Sequence, residues 1–198
     1  MERFAVKPFA LVAASLAALC APVAAQPVQT AGATACAIAG WSNDPDPAGL
    51  NVRAAPSANA KIIGRIPAAR DQAGDTYSAE FDIVGSQGGW LLIRNAHFAD
   101  YGGGKGDQVV FAGPGWVFAD KVRFLINSID LHSAASAQSS VVVRLTNADH
   151  SSGPDGANID HVYGCSGPFA DIAVHMSGKP QARGWATGIC SNQVTTCP

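Results

Sequence analysis

Several groups of residues in this chain have the types that catalysis, phosphate binding or metal binding require, and each fails a specific test of spacing. Cys165 with His150 or His161 supplies a thiol and a base, the pair that a cysteine nucleophile needs. The surrounding Gly164-Cys165-Ser166-Gly167-Pro168 lacks the Gly-x-Ser-x-Gly spacing of a nucleophile elbow. Gly102 to Asp107 reads Gly-Gly-Gly-Lys-Gly-Asp, but a phosphate loop needs Ser or Thr after Gly-Lys and a helix behind it. Here Gly106 follows Lys105 and no helical periodicity follows, so the string reads as a loop tip. His150, Asp155, Asp160 and His161 share a predicted loop, yet no two histidines have the i, i+4 spacing of a helical metal site. Asn43 to Pro47 lacks the glycine and glutamate of a calcium loop and reads as a rigid turn. No catalytic residue, metal or cofactor is expected.

Binding chemistry is better represented. Tyr77 and Phe81 flank Glu80, and Phe98 and Tyr101 lie in the insertion Asn95–Gln108. Aromatic faces beside hydrogen-bonding groups suit a glycan or a peptide. Trp41 stands just before the first predicted core strand, where core packing and ligand contact are both open.

The elements that must position these residues begin after an export signal. Arg3 and Lys7 precede a short, Ala-rich apolar run that ends in Val23-Ala24-Ala25 before Gln26. This is the pattern of a signal peptide over 1–25, cut after Ala25. A lipoprotein anchor at Cys20 fits less well because Leu19 precedes it, and the run is short for a membrane span. No second long apolar run follows, so no membrane insertion is expected after cleavage, and the chain is predicted to be periplasmic or secreted. Cleavage leaves Cys36, Cys165, Cys190 and Cys197, an even number that favours two disulfides, with three pairings open. If all four pair internally, one bond ties the start of the mature chain to its last third. No C-x-x-C spacing supports a zinc site.

Charged residues make up 14% of the 198 residues, below the roughly 25% of ordinary soluble domains. The formal charge is −2, and losing Glu2, Arg3 and Lys7 with the leader makes it −3, so no nucleic-acid partner is expected. Hydrophobic residues make up 47%, but 21 Gly and 12 Pro interrupt them, which excludes coiled coils and long bundles. Residues 26–35 are small and polar and read as a flexible leader. Beyond them, short β-branched and aromatic runs such as "FDIVG", "WLLIR", "VVVRL" and "DIAVHM" alternate with turn residues, the pattern of an all-β chain of small barrels.

A shift of 79 residues lays "AAPSANAKIIGRI" from Ala54 over "SAASAQSSVVVRL" from Ser133, and "IVGSQGGWLLI" from Ile83 over "VYGCSGPFADI" from Val162. Ile62, Ile63, Ile66, Trp90 and Ile93 then match Val141, Val142, Leu145, Phe169 and Ile172. Farther on, "GWVFADKV" from Gly115 resembles "GWATGIC" from Gly184 after a shorter loop. Three similarities in one order predict a duplication, with units over 36–126 and 128–198 and a boundary near Ile126–Ser128. Each unit is near the lower size limit for an independent core, which disulfides and mutual packing would offset.

The first unit carries "GLNVRAAPSANAKIIGRIP", then "GGWLLI", then "GPGWVFADKVRF". This ordered set resembles the bacterial SH3-like family over roughly residues 40–126. The resemblance implies a small, partly open SH3-like β-barrel, and the repeat alignment extends this to two in tandem, the second copy divergent because "SIDLHSAASAQSSVVVRL" lacks the Asn-Val-Arg and the Pro. It places Trp90 and Trp116 in the core. It also implies a non-catalytic exported binding protein for peptidoglycan, a cell-wall peptide or another envelope ligand; the rival role is a protein-protein adaptor or an inhibitor of an envelope enzyme. Alternation agrees: Leu50 and Val52 face inward, Asn51 and Arg53 outward, and Ile62, Ile63 and Ile66 resume the core. Asn51 and Arg53 are therefore candidate ligand residues, with pairing to Asp44 or Asp46 as the structural alternative.

Overall fold

The computed structural model describes residues 1–2, 27–72, 74–146, 153–195 and 197. Apart from Met1 and Glu2, the expected signal peptide lies outside the described residues, as does His150. The fold is all-β, and its helical elements among the described residues are two short 3-10 turns.

The first unit runs through β1 (Thr34–Ser42), β2 (Leu50–Arg53), β3 (Ile62–Ile66), β4 (Arg70–Gln72), β5 (Asp75–Tyr77), β6 (Glu80–Gln87), β7 (Trp90–Phe98), β8 (Gln108–Phe111), β9 (Gly115–Phe118) and β10 (Val122–Arg123). The second holds β11 (Leu125–Ile126), β12 (Asp130–His132), β13 (Val141–Arg144), β14 (Ala157–Ser166), β15 (Phe169–Met176), β16 (Ala182–Ala186) and β17 (Ile189–Cys190). The main sheet of the first unit has the order β10-β1-β6-β7-β9-β2-β3, with β8 beside β7, and that of the second β13-β12-β16-β15-β14. Along β2, Leu50 and Val52 are buried while Asn51 and Arg53 are half-buried, as the alternation requires.

The duplication is written into the pairing register. Leu50, Asn51, Val52 and Arg53 face Ile66, Arg65, Gly64 and Ile62, with a bulge between Val52 and Arg53. In the repeat, Asp130, Leu131 and His132 face Arg144, Val143 and Val141, with the bulge at the same place. The loop between these strands repeats bond for bond: Ala54 N–H to Lys61 O, Ser57 N–H to Ala55 O and Ala60 N–H to Ser57 O reappear as Ser133 to Ser140, Ser136 to Ala134 and Ser139 to Ser136. Likewise Ile83↔Ile93 and Ser86↔Leu91 become Val162↔Ile172 and Cys165↔Ala170. The glycine before each tryptophan has one cause in both copies. A Cβ at Gly115 would lie 2.2 Å from Val52, and one at Gly184 2.9 Å from Leu131, the repeat of Val52.

The units meet at equivalent positions. Ser86 of β6 and Cys165 of β14 are repeats of each other. Ser86 Oγ donates to Cys165 O (2.9 Å) and accepts from Cys165 N–H (3.0 Å), both bonds buried. Gly164 leaves room for this approach, since a Cβ there would sit 3.1 Å from Ser86 Oγ. β1 reaches across as well: Ala37 N–H donates to Gly167 O and Gly167 N–H to Ala35 O, both at 2.8 Å. A disulfide joins Cys36 to Cys165 beside this seam, and a second joins Cys190 to Cys197. The buried core is correspondingly continuous, running from Ile38, Ile83 and Leu91 to Val162, Ile172 and Val174.

Three expectations are corrected. The leader over 26–35 is tied down from Gln29 onward and enters β1 at Thr34, because its main chain satisfies groups of the first unit. Leu125 and Ile126 pair with β17, so they belong with the second unit and the handover precedes Ile126. Ile62 is exposed and Ile63 only half-buried, leaving Ile66 in the core, because β3 is the edge of its sheet.

The two disulfides close loops of very different length, 129 and 7 residues apart in sequence. On loop entropy the C36S/C165S double variant loses about 5 kcal/mol and C190S/C197S about 2.5 kcal/mol. Urea unfolding of the two variants checks the order. A second buried test is S86A, which strips both bonds from the Cys165 peptide and is expected to cost about 1–3 kcal/mol by the same measurement.

Candidate functional site

The first unit carries an open groove of about 290 Å³. Its lining comes from four places: Leu50, Asn51 and Arg53 on β2, Ala58 in the following loop, Trp90 and Phe118 on neighbouring strands, and Asp44 with Lys121 at the rim. The Gly88-Gly89 turn, with φ of 55° and 80°, starts β7 at Trp90 and sets it opposite Phe118 of β9. The two rings lie 5.6 Å apart at 60°. Trp90 is half-buried and Phe118 is 42% exposed, so the pair is a hydrophobic surface presented to solvent.

The polar groups of this groove are held by contacts within the chain. Asn51 Oδ1 accepts from both Nε (3.1 Å) and Nη2 (2.9 Å) of Arg65. Arg53 Nη1 donates to Ala60 O at 2.8 Å, which ties the strand to its loop. Lys121 Nζ lies 3.3 Å from Asp44. Asn51 and Arg53 are thus braced, but by Arg65 and a loop carbonyl rather than by Asp44 or Asp46. Arg53 has guanidinium donors beyond the bond to Ala60 with which to meet a ligand.

The other sequence candidates do not join them. Trp90, expected in the core, lines the groove, while Trp116 is fully buried as expected. Phe81 and Phe98 are corrected in the opposite sense: at 2% and 3% exposure they are core residues, and Arg70 covers the Phe98 ring at 3.9 Å. Trp41 is half-buried in β1, packed on the core between Glu80 and Arg123. Tyr77 and Tyr101 lie 4.5 Å apart, tilted by 38°, and do not line the groove. The Tyr101 hydroxyl donates to Glu80, whose other oxygen accepts from Ser191 Oγ at 2.7 Å. Gln193 completes this cluster by exchanging bonds of 2.9 Å with both main-chain groups of Ser78. Tyr101 and Glu80 therefore dock the small Cys190–Cys197 loop onto the first unit.

The remaining candidate residues have partners within the chain. Lys105 N–H and Gly106 N–H both donate to Asp100 Oδ2 at 2.7 Å, and these bonds hold the Asp100 carboxyl below its ordinary range. Two amides of the glycine-rich string are thus taken by the Asp100 carboxylate rather than turned toward an outside anion. Cys165 is consumed by its disulfide and cannot act as a nucleophile in this state. His161 lies 3.3 Å from Asp120, and His175 2.7 Å from Asp160. Among the described residues no three metal-ligating side chains come together.

The second unit has the same backbone without the groove. His132 stands at the repeat of Arg53, with Nδ1 3.1 Å from Ser139 O, and Phe169 at the repeat of Trp90. Each is 9% exposed and the rings meet edge-on at 6.2 Å, so the space is filled. Comparison with protein-family models, with curated proteins and with solved structures finds no match.

Burial, and next the bond to Glu80, push the Tyr101 phenol up to about 12. Its folded-state value lies above the unfolded value near 10, so the stability it contributes is fully present below pH 10 and is lost as pH rises toward 12. The 295 nm absorbance titration of the chain is expected to contain a component near pH 12 that is missing from Y101F.

Proposed function

We propose that this chain is a non-catalytic exported binding protein whose first unit is an SH3-like barrel that holds a cell-wall peptide or another cell-envelope ligand in the groove of Asn51, Arg53, Trp90 and Phe118. The observation that carries this reading is the solvent-facing Trp90–Phe118 pair beside an arginine already fixed by its own loop. A peptide rich in small alkyl side chains and carboxylates matches that surface. The rings offer apolar area, and Arg53 and Lys121 offer charge-assisted donors at its edge. Pre-set polar groups reduce the ordering cost of binding.

Two disulfides support an oxidising compartment, and no helix among the described residues is long and apolar enough to cross a membrane. The resemblance of "GLNVR", "GGW" and "GPGWV" to the bacterial SH3-like family agrees with the placement of β2, the Gly88-Gly89 turn and β9 around one groove. The counterpart of this groove in the second unit is filled by His132 and Phe169, which supports assigning this ligand to the first.

Purified peptidoglycan sacculi are expected to retain the chain more than a control protein with matched disulfides. W90A and F118A each lower retention at least about tenfold, the effect of losing one well-buried aromatic contact. Binding no better than the control, or binding indifferent to both substitutions, defeats the reading; capture of a specific envelope protein through Phe118 favours the adaptor role instead.

A further inference from the structure

In the first unit the chain covers its own tryptophan. Trp116 is fully buried, and its Nε1–H donates to the main-chain oxygen of Gln29 at 2.7 Å. The N–H of the same Gln29 donates to Ala54 O at 2.8 Å. One residue of a passing segment is therefore gripped through its main chain alone, by one donor and one acceptor. A turn closed by Ala33 N–H to Thr30 O then leads into β1.

The second unit repeats the grip without the segment. Trp185 is the counterpart of Trp116, since Arg53 pairs with Trp116 as His132 pairs with Trp185. Ser133 is the counterpart of Ala54, since both donate to the matching loop carbonyl, of Ser140 and Lys61. The residues 79 positions on from 27–33 are 106–112, and of these Gln108–Phe111 are committed to β8 against β7. At this offset the described residues hold no second copy of the covering segment. In its place is a cavity of about 390 Å³, lined by Trp185, Ser133, Val142, Asp171 and Arg183 among others. Trp185 is only half-buried. Among the described residues neither its indole N–H nor the Ser133 carbonyl has a hydrogen-bond partner.

We infer that the second unit binds a short uncharged segment of a partner protein across Trp185 and Ser133, with one residue accepting from the Trp185 indole and donating to the Ser133 carbonyl. Recognition through main-chain groups is a general way of taking up a peptide. Asp171 and Arg183 neutralise each other through bonds of 3.0 and 2.7 Å, so the wall of the cavity asks for no charge on the segment. The gripping residue cannot be proline, which lacks the N–H. The chain's own residues 27–33 are held in the first unit and are not free to serve the second site. This inference stands apart from the groove of Trp90.

The probe is the capped peptide Pro-Val-Gln-Thr-Ala-Gly-Ala, the sequence of residues 27–33, titrated into the full chain while the indole N–H signals of the four tryptophans are followed by NMR. A saturable shift of the Trp185 indole is expected. N-methylation of the glutamine amide weakens binding at least about tenfold, the loss expected of one hydrogen bond, while glutamine-to-alanine in the peptide leaves it unchanged. W185F abolishes binding and leaves the other three indole signals in place. No shift at Trp185, equal binding of the N-methylated peptide, or a shift confined to Trp116 overturns the inference. So does self-association of the chain in sedimentation that W185F abolishes, because the occupant is then a second copy.

Discussion

The contact between Ser86 and Cys165 is the constraint on which the two-unit architecture rests. One position of a repeated hairpin meets its own copy, so the interface is of the self-complementary kind that two-fold dimers use, here within a single chain. It places a hydroxyl where it both donates to and accepts from the main chain of one buried residue, which leaves neither group of Cys165 unpaired. The same residue carries the disulfide to Cys36, and β1 runs past Gly167 to complete the seam. Each unit is small for an independent core, and the buried residues of both form one continuous cluster across the contact.

Once the backbone is held in duplicate, a few substitutions decide which faces are open. Arg53 becomes His132 and Trp90 becomes Phe169, and the smaller, flatter pair collapses on itself where the arginine and the indole stand apart. Asn51 with Arg65 becomes Asp130 with Arg144, an ion pair at 3.1 Å in the register of the older hydrogen bonds. The outer polar rung is thus conserved in place while its chemistry changes. Farther along the same face of these strands the bias reverses. Leu92 beneath Trp116 becomes Asp171 beside Trp185, and the stretch closed in the first unit is open in the second.

Much of this was legible in the sequence because duplication constrains spacing more tightly than identity. The 79-residue offset, the shortened loop before Gly184 and the link from Cys36 into the last third all follow from positions alone. Side-chain exposure was harder to read. Phe81 and Phe98 look like loop aromatics beside polar neighbours, yet strands β6 and β7 extend past those neighbours and turn both rings inward. Trp90 follows a tight turn, and whether a strand's first residue faces the core depends on register with β9, which no local pattern encodes. Ile62 and Ile63 match apolar residues in the repeat because both are sheet edges, not because both are core. The role of Gln29 had no signal at all, since its grip uses only main-chain atoms.

That last case bears on how small β units acquire partners. An indole N–H and a loop carbonyl that are satisfied by the chain itself in one copy have lost that satisfaction in the other, and buried or half-buried polar groups are rarely left so. Water can supply the bonds at an open surface, and an extended segment can supply the same bonds with apolar contact added. The two units therefore differ in the origin of the segment that lies across the tryptophan, while the geometry that receives it is inherited from one hairpin and one loop.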